Sequence, residues 1–289
     1  MSLSDTTAII GGSQGFRVLD GAVPLETLGP VATPFGESAP LHRIWTDAGT
    51  VLFLSRHGET GYHVSAPFVN YRANIWALKE LGVERIIAWS GPGAIDPSLP
   101  IGDVLVPGDL IDETRSRPST FYEGTGLGFI RQNPVFCPEI SRVLTEAIFA
   151  DQGHCRTDDV YVCTEGPRLE TRAEIRKFAG YGASLVGMTL VPEAFLAKEL
   201  EMCYCPVCYV TNYAEGVLNR GYSTGELFEG LLSDDERVLV DRAVQKLPVI
   251  AMRALSSLSK DRRCPCAVSM QRYRNRGDIG EDWRSWIKT

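Results

Sequence analysis

Histidine and net positive charge are both scarce in this chain, and each shortage excludes a class of function. Only 4 of the 289 residues are histidine, and 29 Lys and Arg are outnumbered by 36 Asp and Glu. The net charge of −7 and the pI near 5.3 argue against a general nucleic-acid binder. No apolar run reaches the roughly 18–20 residues of a membrane span, and the start of the chain lacks a signal-peptide pattern. We therefore expect no membrane contact and a cytoplasmic location.

Motifs for triphosphate binding, serine nucleophiles and zinc are missing as well. There is no Walker loop, and the turn Gly91-Pro92-Gly93 lacks the central serine of a nucleophile elbow. Three of the eight cysteines lie in the segment 203–208, whose spacing does not match the two spaced pairs of a zinc knuckle. We expect no metal and interpret these cysteines as reduced thiols of a buried strand. Cys264-Pro265-Cys266 is expected to be more exposed, with free thiols.

Strand-like apolar runs alternate with helix-like segments over most of the chain, which predicts an α/β fold. The strands are predicted at 7–10, 51–54, 86–89, 160–163, 184–186 and 204–210, and the helices at 70–79, 138–153, 192–201 and 234–257. Residues 260–289 are rich in Arg and Trp and have little periodicity. We expect one domain over residues 1–259 and a C-terminal extension of unknown role over 260–289. A solvated extension is the expectation, and a docking segment is the alternative.

The segment Cys163–Thr171 links a predicted strand to a predicted helix and carries an apolar residue beside an acid. Gly166-Pro167 forces a sharp turn, which exposes the following side chains at the rim of a sheet, where open α/β folds bind ligands. Leu169 offers an apolar wall, and Glu170 offers a carboxylate. This pair suits a flat heterocycle that carries N–H donors. An ordinary turn with a surface glutamate is the alternative.

Other polar or glycine-rich motifs also follow predicted strands, which favours a single composite pocket. Side chains that suit a phosphate, as hydrogen-bond donors, are Ser13, Arg56, His57, Ser90 and Thr189. In this interpretation the imidazole of His57 acts as a donor beside the Arg56 guanidinium. The loop after Ser90 contains Gly91 and can aim backbone N–H groups at an anion. Asn212 suits a heterocycle, as Glu170 does, and the polarisable Met188 suits the space under a sugar. A surface arginine beside a structural histidine is the alternative for Arg56 and His57.

Several of these segments together resemble the methylthioadenosine phosphorylases, within the wider trimeric purine nucleoside phosphorylase family. The matching segments are Ile9-Ile10-Gly11-Gly12-Ser13, Arg56-His57-Gly58, Asn70-Tyr71-Arg72-Ala73-Asn74-Ile75-Trp76-Ala77-Leu78-Lys79, Glu165-Gly166-Pro167-Arg168 and Met188-Thr189-Leu190-Val191-Pro192-Glu193. The resemblance implies a single-domain nucleoside phosphorylase fold, with a central mixed β-sheet or barrel flanked by helices. It also implies a homotrimer that acts in purine salvage on small-molecule nucleosides, with inorganic phosphate as co-substrate and no other cofactor.

Phosphorolysis, the activity that the resemblance implies, splits a purine nucleoside into free base and a sugar 1-phosphate. The positions that match the family's phosphate ligands are Ser13, Arg56, His57, Ser90, Gly91 and Thr189, and Met188 matches the residue under the ribose. The base site would be Leu169, Glu170, Asn212 and Ala214, and the catalytic residues would be Arg56, His57 and Asn212. Methylthioadenosine phosphorylases usually have threonine in place of Ser13. Phe129 falls near a position where a neighbouring subunit usually places a histidine at the 5′ substituent.

The base site departs from the adenine-specific members of the family. Those members have two aspartates in place of Asn212 and Ala214, and Phe-Ser in place of Leu169-Glu170. Glu170 and Asn212 instead resemble the pair in phosphorylases of inosine and guanosine. A 6-oxopurine has an N1–H that a carboxylate accepts, whereas adenine would present a lone pair to it. The resemblance therefore favours 6-oxopurine substrates, including 5′-methylthioinosine.

Three alternatives remain open at this stage. The chain could be a methylthioadenosine phosphorylase that releases adenine, a nucleoside-binding protein without turnover, or a nucleoside hydrolase. A hydrolase would not need a phosphate site, so cleavage without phosphate would identify it.

Overall fold

A computed structural model describes residues 6–19, 23–46, 49–59, 61–219, 225 and 232–288, except for the side chain of Ser13. Its strands are β1 (Thr7–Gly11), β2 (Leu25–Gly29), β3 (Ala32–Thr33), β4 (Gly36–Glu37), β5 (Leu41–Thr46), β6 (Gly49–Ser55), β7 (Arg85–Ser90), β8 (Gly93–Ala94), β9 (Val104–Leu105), β10 (Asp109–Glu113), β11 (Val160–Thr164), β12 (Leu185–Gly187), β13 (Cys203–Tyr209) and β14 (Asn212–Tyr213). Its α-helices are α1 (Ser13–Leu19), α2 (Tyr71–Glu80), α3 (Pro138–Gln152), α4 (Arg172–Gly180), α5 (Leu190–Glu199), α6 (Asp234–Ser256) and α7 (Gln271–Arg276).

The larger sheet has seven strands in the order β2-β5-β6-β1-β7-β13-β9. Its four central strands, β6, β1, β7 and β13, are parallel, and the outer strands are antiparallel to their neighbours. The central strands are almost wholly apolar and buried, as expected for parallel strands covered on both faces. Because the strands are parallel, the carboxyl ends of β1, β6 and β7 meet at one edge. The predicted α/β fold with a mixed sheet is confirmed.

A smaller sheet has the order β10-β11-β12-β8-β14. The chain passes from the larger sheet to this one three times, from β7 to β8, from β9 to β10 and from β13 to β14. Ser90 ends β7, and Asn212 begins β14. The first and last of these transitions therefore bring the carboxyl edge of the larger sheet next to the smaller sheet.

A capping box defines where α4 begins. The Thr171 hydroxyl accepts a hydrogen bond from the Glu174 N–H, and the Glu174 carboxylate accepts one from the Thr171 N–H. Such reciprocal bonds satisfy two N–H groups that the first helical turn cannot pair, and a cap is worth about 1 kcal/mol. The cap fixes the backbone directly after Glu170.

The expectation of a solvated extension after residue 260 is wrong, because the tail docks on the core. Buried tail residues are Cys264, Cys266, Met270, Tyr273, Ile279, Trp286 and Ile287. Glu201 anchors the tail: its Oε1 accepts the Met270 N–H at 3.0 Å, and its carboxylate pairs with Arg274. The described tail has short helical turns, too short for a periodic pattern, which explains why the sequence signal was weak. Among the described residues, no helix has both the length and the apolar character needed to cross a membrane.

Candidate active site

Arg56 follows β6 and forms the charged centre of the site. Its side chain pairs with Glu193 through two hydrogen bonds, Nε to Oε1 at 2.7 Å and Nη2 to Oε2 at 3.0 Å. Both residues are buried. Burial opposes the charge on Arg56, but Glu193 outweighs it and raises the pKa of the guanidinium. Arg56 is therefore a fixed cation held at the carboxyl edge of the larger sheet.

The same guanidinium also binds two backbone carbonyls. Nη1 donates to the Trp89 carbonyl at 3.0 Å, and Nη2 donates to the Ile10 carbonyl at 3.4 Å. These bonds and the pair with Glu193 use four of the five N–H groups of an arginine. Among the contacts of the described residues, one Nη1 N–H remains for a ligand. Sequence reasoning identified Arg56 but assigned no role to Glu193, which lies in the first turn of α5.

His57 is buried beside Arg56 and is neutral near pH 7. Burial, followed by the nearby Arg56 charge, lowers the pKa of His57 to about 4. Its Nδ1 lies 2.8 Å from the Val64 carbonyl oxygen. Because a carbonyl can only accept, we assign the ring proton to Nδ1, and Nε2 is left as an acceptor. This differs from the predicted donor role, because Nε2 of the neutral ring can accept a hydrogen bond from the P–O–H group of a protonated phosphate.

The depressed pKa of His57 predicts a pH-dependent stability. The unfolded chain binds this proton below its ordinary pKa near 6.5, whereas the folded chain resists it down to about 4. The contribution is therefore fully present above pH 6.5 and is lost as the pH falls towards 4, up to about 3 kcal/mol. We expect the free energy of unfolding to fall more steeply over this range in the wild type than in His57→Gln. Denaturant titration at several pH values checks this, and parallel curves would contradict it.

Ser90 and Thr189 meet next to Arg56. Ser90 Oγ lies 3.3 Å from Thr189 Oγ1 and 3.1 Å from the Tyr161 hydroxyl. The two hydroxyls come from different sheets, because Ser90 ends β7 and Thr189 follows β12. Gly91 cannot have a side chain here, since an added Cβ would lie 2.7 Å from Thr211 Cγ2. The loop is therefore packed closely at the point where its backbone N–H groups could face an anion.

Ser13 is predicted to bind phosphate through its hydroxyl, but its side chain lies outside the described residues. The backbone around it is described, and β1 runs beside Arg56. The Arg56 N–H donates to the Gly11 carbonyl at 2.9 Å, and an added Cβ on Gly12 would lie 3.5 Å from the His57 ring. The strand that leads to Ser13 thus belongs to the same edge as Arg56 and His57.

Glu170 and Met188 lie on two adjacent loops of the smaller sheet. The Thr164 hydroxyl donates to Glu170 Oε1 at 2.5 Å and lies 3.4 Å from the Gly187 carbonyl oxygen. The Met188 side chain packs on Gly166, where an added Cβ would lie 2.5 Å from the methionine sulfur. Burial raises the pKa of Glu170, and the bond from Thr164 opposes that rise. Leu169 is half-buried in the same turn.

Arg117, which sequence reasoning missed, holds these two loops together. Its Nη1 donates to the carbonyls of Met188 at 2.7 Å and Val191 at 2.5 Å. Its Nη2 donates to the carbonyls of Thr164 at 3.1 Å and Glu165 at 2.6 Å. The guanidinium is buried. Arg117 lies in an irregular segment, and no sequence motif marks it, so only the fold reveals this positioning role.

Asn212 is buried at the start of β14 and has a fixed amide orientation. Its Oδ1 accepts from the Thr211 hydroxyl at 2.7 Å, and its Nδ2 donates to the Tyr213 carbonyl at 2.9 Å. These bonds leave one N–H and one lone pair of the amide for a ligand. Ala214 is buried next to it and donates its N–H to the Ala94 carbonyl. Both residues pair with β8, which also pairs with β12, the strand that leads to Met188.

The described contacts therefore form a continuous path from a cation to a carboxylate. Arg56 binds the carbonyl of Trp89, next to Ser90; Ser90 contacts Thr189; and Thr189 follows Met188. From there Thr164 connects the Gly187 carbonyl to Glu170. One end of this path suits an anion, and the other suits a group with N–H donors.

Known proteins resemble this chain in sequence and in fold. A model of the Phosphorylase superfamily matches residues 6–243. The chain is 40% identical to a probable S-methyl-5′-thioinosine phosphorylase of Methanothermobacter thermautotrophicus over 91% of this chain and 88% of that protein. It is also 40% identical to a 6-oxopurine nucleoside phosphorylase of Pyrococcus furiosus over 91% of this chain and 97% of that protein.

A solved structure supports the same assignment. The crystal structure of a methylthioadenosine phosphorylase from an antarctic soil metagenomic library superposes with a TM-score of 0.78, at 28% identity over 92% of this chain and 91% of that chain. The family model covers well over half of the chain, and the relatives align along most of their length. The chain therefore belongs to the Phosphorylase superfamily.

Proposed function

We propose that this protein cleaves purine nucleosides with inorganic phosphate, releases the free base and a ribose 1-phosphate, and prefers 6-oxopurines. One observation carries the proposal: the buried cation Arg56 and the half-buried carboxylate Glu170 are linked by a continuous path of contacts through Ser90, Thr189 and Thr164. The names of the relatives, 5′-methylthioinosine and 6-oxopurine nucleoside phosphorylases, support the same substrate class.

The anion end of the site would hold the phosphate. Arg56 supplies a fixed positive charge and one N–H, Ser90 and Thr189 supply hydroxyls, and the backbone at Gly91 supplies N–H groups. His57, neutral near pH 7, would accept a hydrogen bond at Nε2 from the P–O–H group of a protonated phosphate. Ser13 is proposed as a further phosphate ligand. Phosphate is the only co-substrate in this proposal, and no further cofactor is needed for the step.

The reaction is a displacement at C1′ of the sugar. As the bond from C1′ to the purine nitrogen lengthens, the sugar becomes cationic, and the bound phosphate stabilises it before forming the new C1′–O bond. The electron pair of the broken bond stays on the purine, which takes up a proton from solvent at N7, and the free lone pair of the Asn212 amide oxygen accepts a hydrogen bond from that N7–H. Met188 would lie under the ribose between the two ends. Positioning of the reactants matters more than covalent chemistry in such a mechanism.

The base end of the site would select 6-oxopurines. Glu170, when ionised, accepts the N1–H, and the free N–H of Asn212 donates to O6. Leu169 and Ala214 supply apolar walls. With adenine, this half-buried carboxylate would face a lone pair at N1, and leaving a desolvated polar group unpaired costs about 1–3 kcal/mol. Discrimination by two such mismatches reaches roughly 10²–10⁴-fold.

A substrate panel assayed with and without phosphate tests the proposal. We expect phosphate-dependent release of hypoxanthine from inosine or 5′-methylthioinosine, at a kcat/KM at least 10²-fold above that for the matching adenine nucleosides. A preference for methylthioadenosine would reject the base assignment. Base release without phosphate would indicate a hydrolase, and thermal stabilisation by nucleosides without base release would indicate a binding protein.

A second candidate is a methylthioadenosine phosphorylase that releases adenine. The solved structure compared above favours it by name, because that protein is a methylthioadenosine phosphorylase. The same panel separates the two candidates, since they differ in the base that is released. As the resemblance implies, we also propose a homotrimer in the cytoplasm that acts in purine salvage.

A further inference from the structure

Four cysteine sulfurs from three distant parts of the chain meet in the core. The ligand atoms of Cys137, Cys203, Cys264 and Cys266 all lie within 4.8 Å of one another. Each of these residues is at most 7% exposed. All four are free thiols rather than disulfides. We call this group the thiol cluster.

The thiol cluster lies at the end of β13 that points away from the proposed pocket. Cys203 is the first residue of β13, whereas Asn212 follows the other end of that strand. Cys137 is the N-cap residue of α3, and its N–H donates to the Tyr204 carbonyl at 2.8 Å. Cys264 and Cys266 flank Pro265 in the turn where the docked tail begins. Three elements that are far apart in sequence therefore contribute sulfur to one point.

We propose that the thiol cluster binds one Zn²⁺ ion as a structural site with four thiolate ligands. Zinc in such sites is tetrahedral with Zn–S distances of about 2.3 Å, so neighbouring sulfurs lie about 3.8 Å apart. The Cys203 and Cys264 sulfurs are 3.3 Å apart, and the largest separation in the cluster is under 4.8 Å. The tetrahedral edge falls between these values, so small side-chain shifts complete the geometry.

Binding is a proton exchange without any redox step. Each of the four thiols releases its proton to solvent as its sulfur binds the metal, and the bound site has a net charge of −2. Zinc is borderline-soft and prefers thiolate and imidazole ligands, whereas Mg²⁺ and Ca²⁺ prefer oxygen. A cluster composed only of sulfur therefore selects a metal of the zinc type.

A buried lysine near the thiol cluster supplies one positive charge close to the proposed site. Lys198 is 7% exposed, and its described hydrogen bonds go to the carbonyls of Pro134 at 2.6 Å and Arg131 at 3.4 Å, which carry no formal charge. Cys266 and Cys137 lie near enough to the Lys198 ammonium to interact with it electrostatically. An ammonium is costly to bury without an anion nearby. A tetrathiolate of charge −2 next to it would offset this cost.

The expectation of no metal rested on spacing within single segments. The segment 203–208 does not have the spacing of a zinc knuckle, and its other two cysteines lie outside the thiol cluster. The expected exposure of Cys264 and Cys266 is wrong, because both are buried by the docked tail. Ligands drawn from residues 137, 203, 264 and 266 become visible only once the fold brings them together.

The metal content of the full-length protein tests the proposal directly. The protein is purified in a buffer free of chelators, and its zinc is measured by mass spectrometry after extensive dialysis. We expect about one zinc per chain. After denaturation with a chelator and without reductant, a thiol assay should count all 8 cysteines as free thiols. X-ray absorption at the zinc edge should show a shell of four sulfurs at about 2.3 Å.

Two variants sharpen the test. Cys264→Ser/Cys266→Ser should lose the zinc, whereas Cys208→Ala, at an equally buried cysteine of β13 outside the thiol cluster, should keep it. If the double variant fails to fold, the wild-type metal content and absorption spectrum still decide. Zinc retained by a folded double variant, or bound through nitrogen or oxygen, overturns the proposal. A zinc-free protein also overturns the proposal. In that case 8 free thiols per chain would indicate that the thiol cluster is packed without a metal, and fewer than 8 would indicate disulfides.

Discussion

Replacing Arg56 with glutamine is expected to reduce phosphorolysis by at least 10²–10³-fold. The variant loses the fixed charge that the proposed mechanism uses to hold phosphate against the cationic sugar, and losses of 3–4 kcal/mol are typical for such groups. Stability should fall too, by about 3–5 kcal/mol, because Glu193 would be left as an unpaired buried carboxylate. Steady-state kinetics with varied phosphate and denaturant unfolding measure the two effects.

A second variant separates the loss of function from the loss of stability. In Arg56→Gln/Glu193→Gln the buried charge is removed with its partner, so we expect most of the stability to return while activity stays low. Arg142→Gln is the matched control, since Arg142 forms an exposed pair with Glu146 on α3. That control should keep wild-type kinetics. If the double variant regained phosphorolysis, Arg56 would only support the fold.

The substrate preference should reverse when Glu170 and Asn212 are changed together. In Glu170→Ser/Asn212→Asp the carboxylate at N1 is removed and an acceptor faces the 6-substituent, which suits the amino group of adenine. We expect the ratio of kcat/KM for inosine to that for adenosine to fall by roughly 10²–10⁴-fold. Measuring this ratio in the single variants shows how the effect divides between the two residues.

The control for the preference change alters the same residue types elsewhere. Glu146→Ser/Asn275→Asp changes two exposed side chains and should leave the ratio as in the wild type. An unchanged ratio in Glu170→Ser/Asn212→Asp would contradict the proposed base site. It would leave the proposed phosphate site untouched, because Arg56 lies at the other end of the contact path.

The sequence predicted most of the parallel core and the candidate residues at its edge. Apolar runs such as those of β1 and β7 are buried on both faces, so their composition signals a strand directly. A polar or glycine motif after such a run lies at the carboxyl edge of the sheet. Arg56 and Ser90 could be located by this logic, because only local pattern and strand direction are needed.

Other parts of the molecule depend on contacts between residues distant in sequence. Arg117 acts through backbone carbonyls more than 45 residues away, and no local pattern encodes such bonds. Glu193 lies in the first turn of α5, and its pairing with Arg56 spans 137 residues. The docked tail is held by Glu201, a residue in the turn before β13. In each case the interaction arises from the tertiary fold.

The bonding of Arg117 has a consequence for how this family of pockets can diversify. All four of its bonds to the two pocket loops end on main-chain oxygens. Main-chain oxygens are present whichever amino acid occupies a position, so an exchange at Met188 leaves the brace itself intact, whereas one at Glu165 removes from it only the long side-chain pair to Arg117 Nε at 3.8 Å. The loops can thus acquire new side chains, and with them new ligand preferences, while their spacing is preserved.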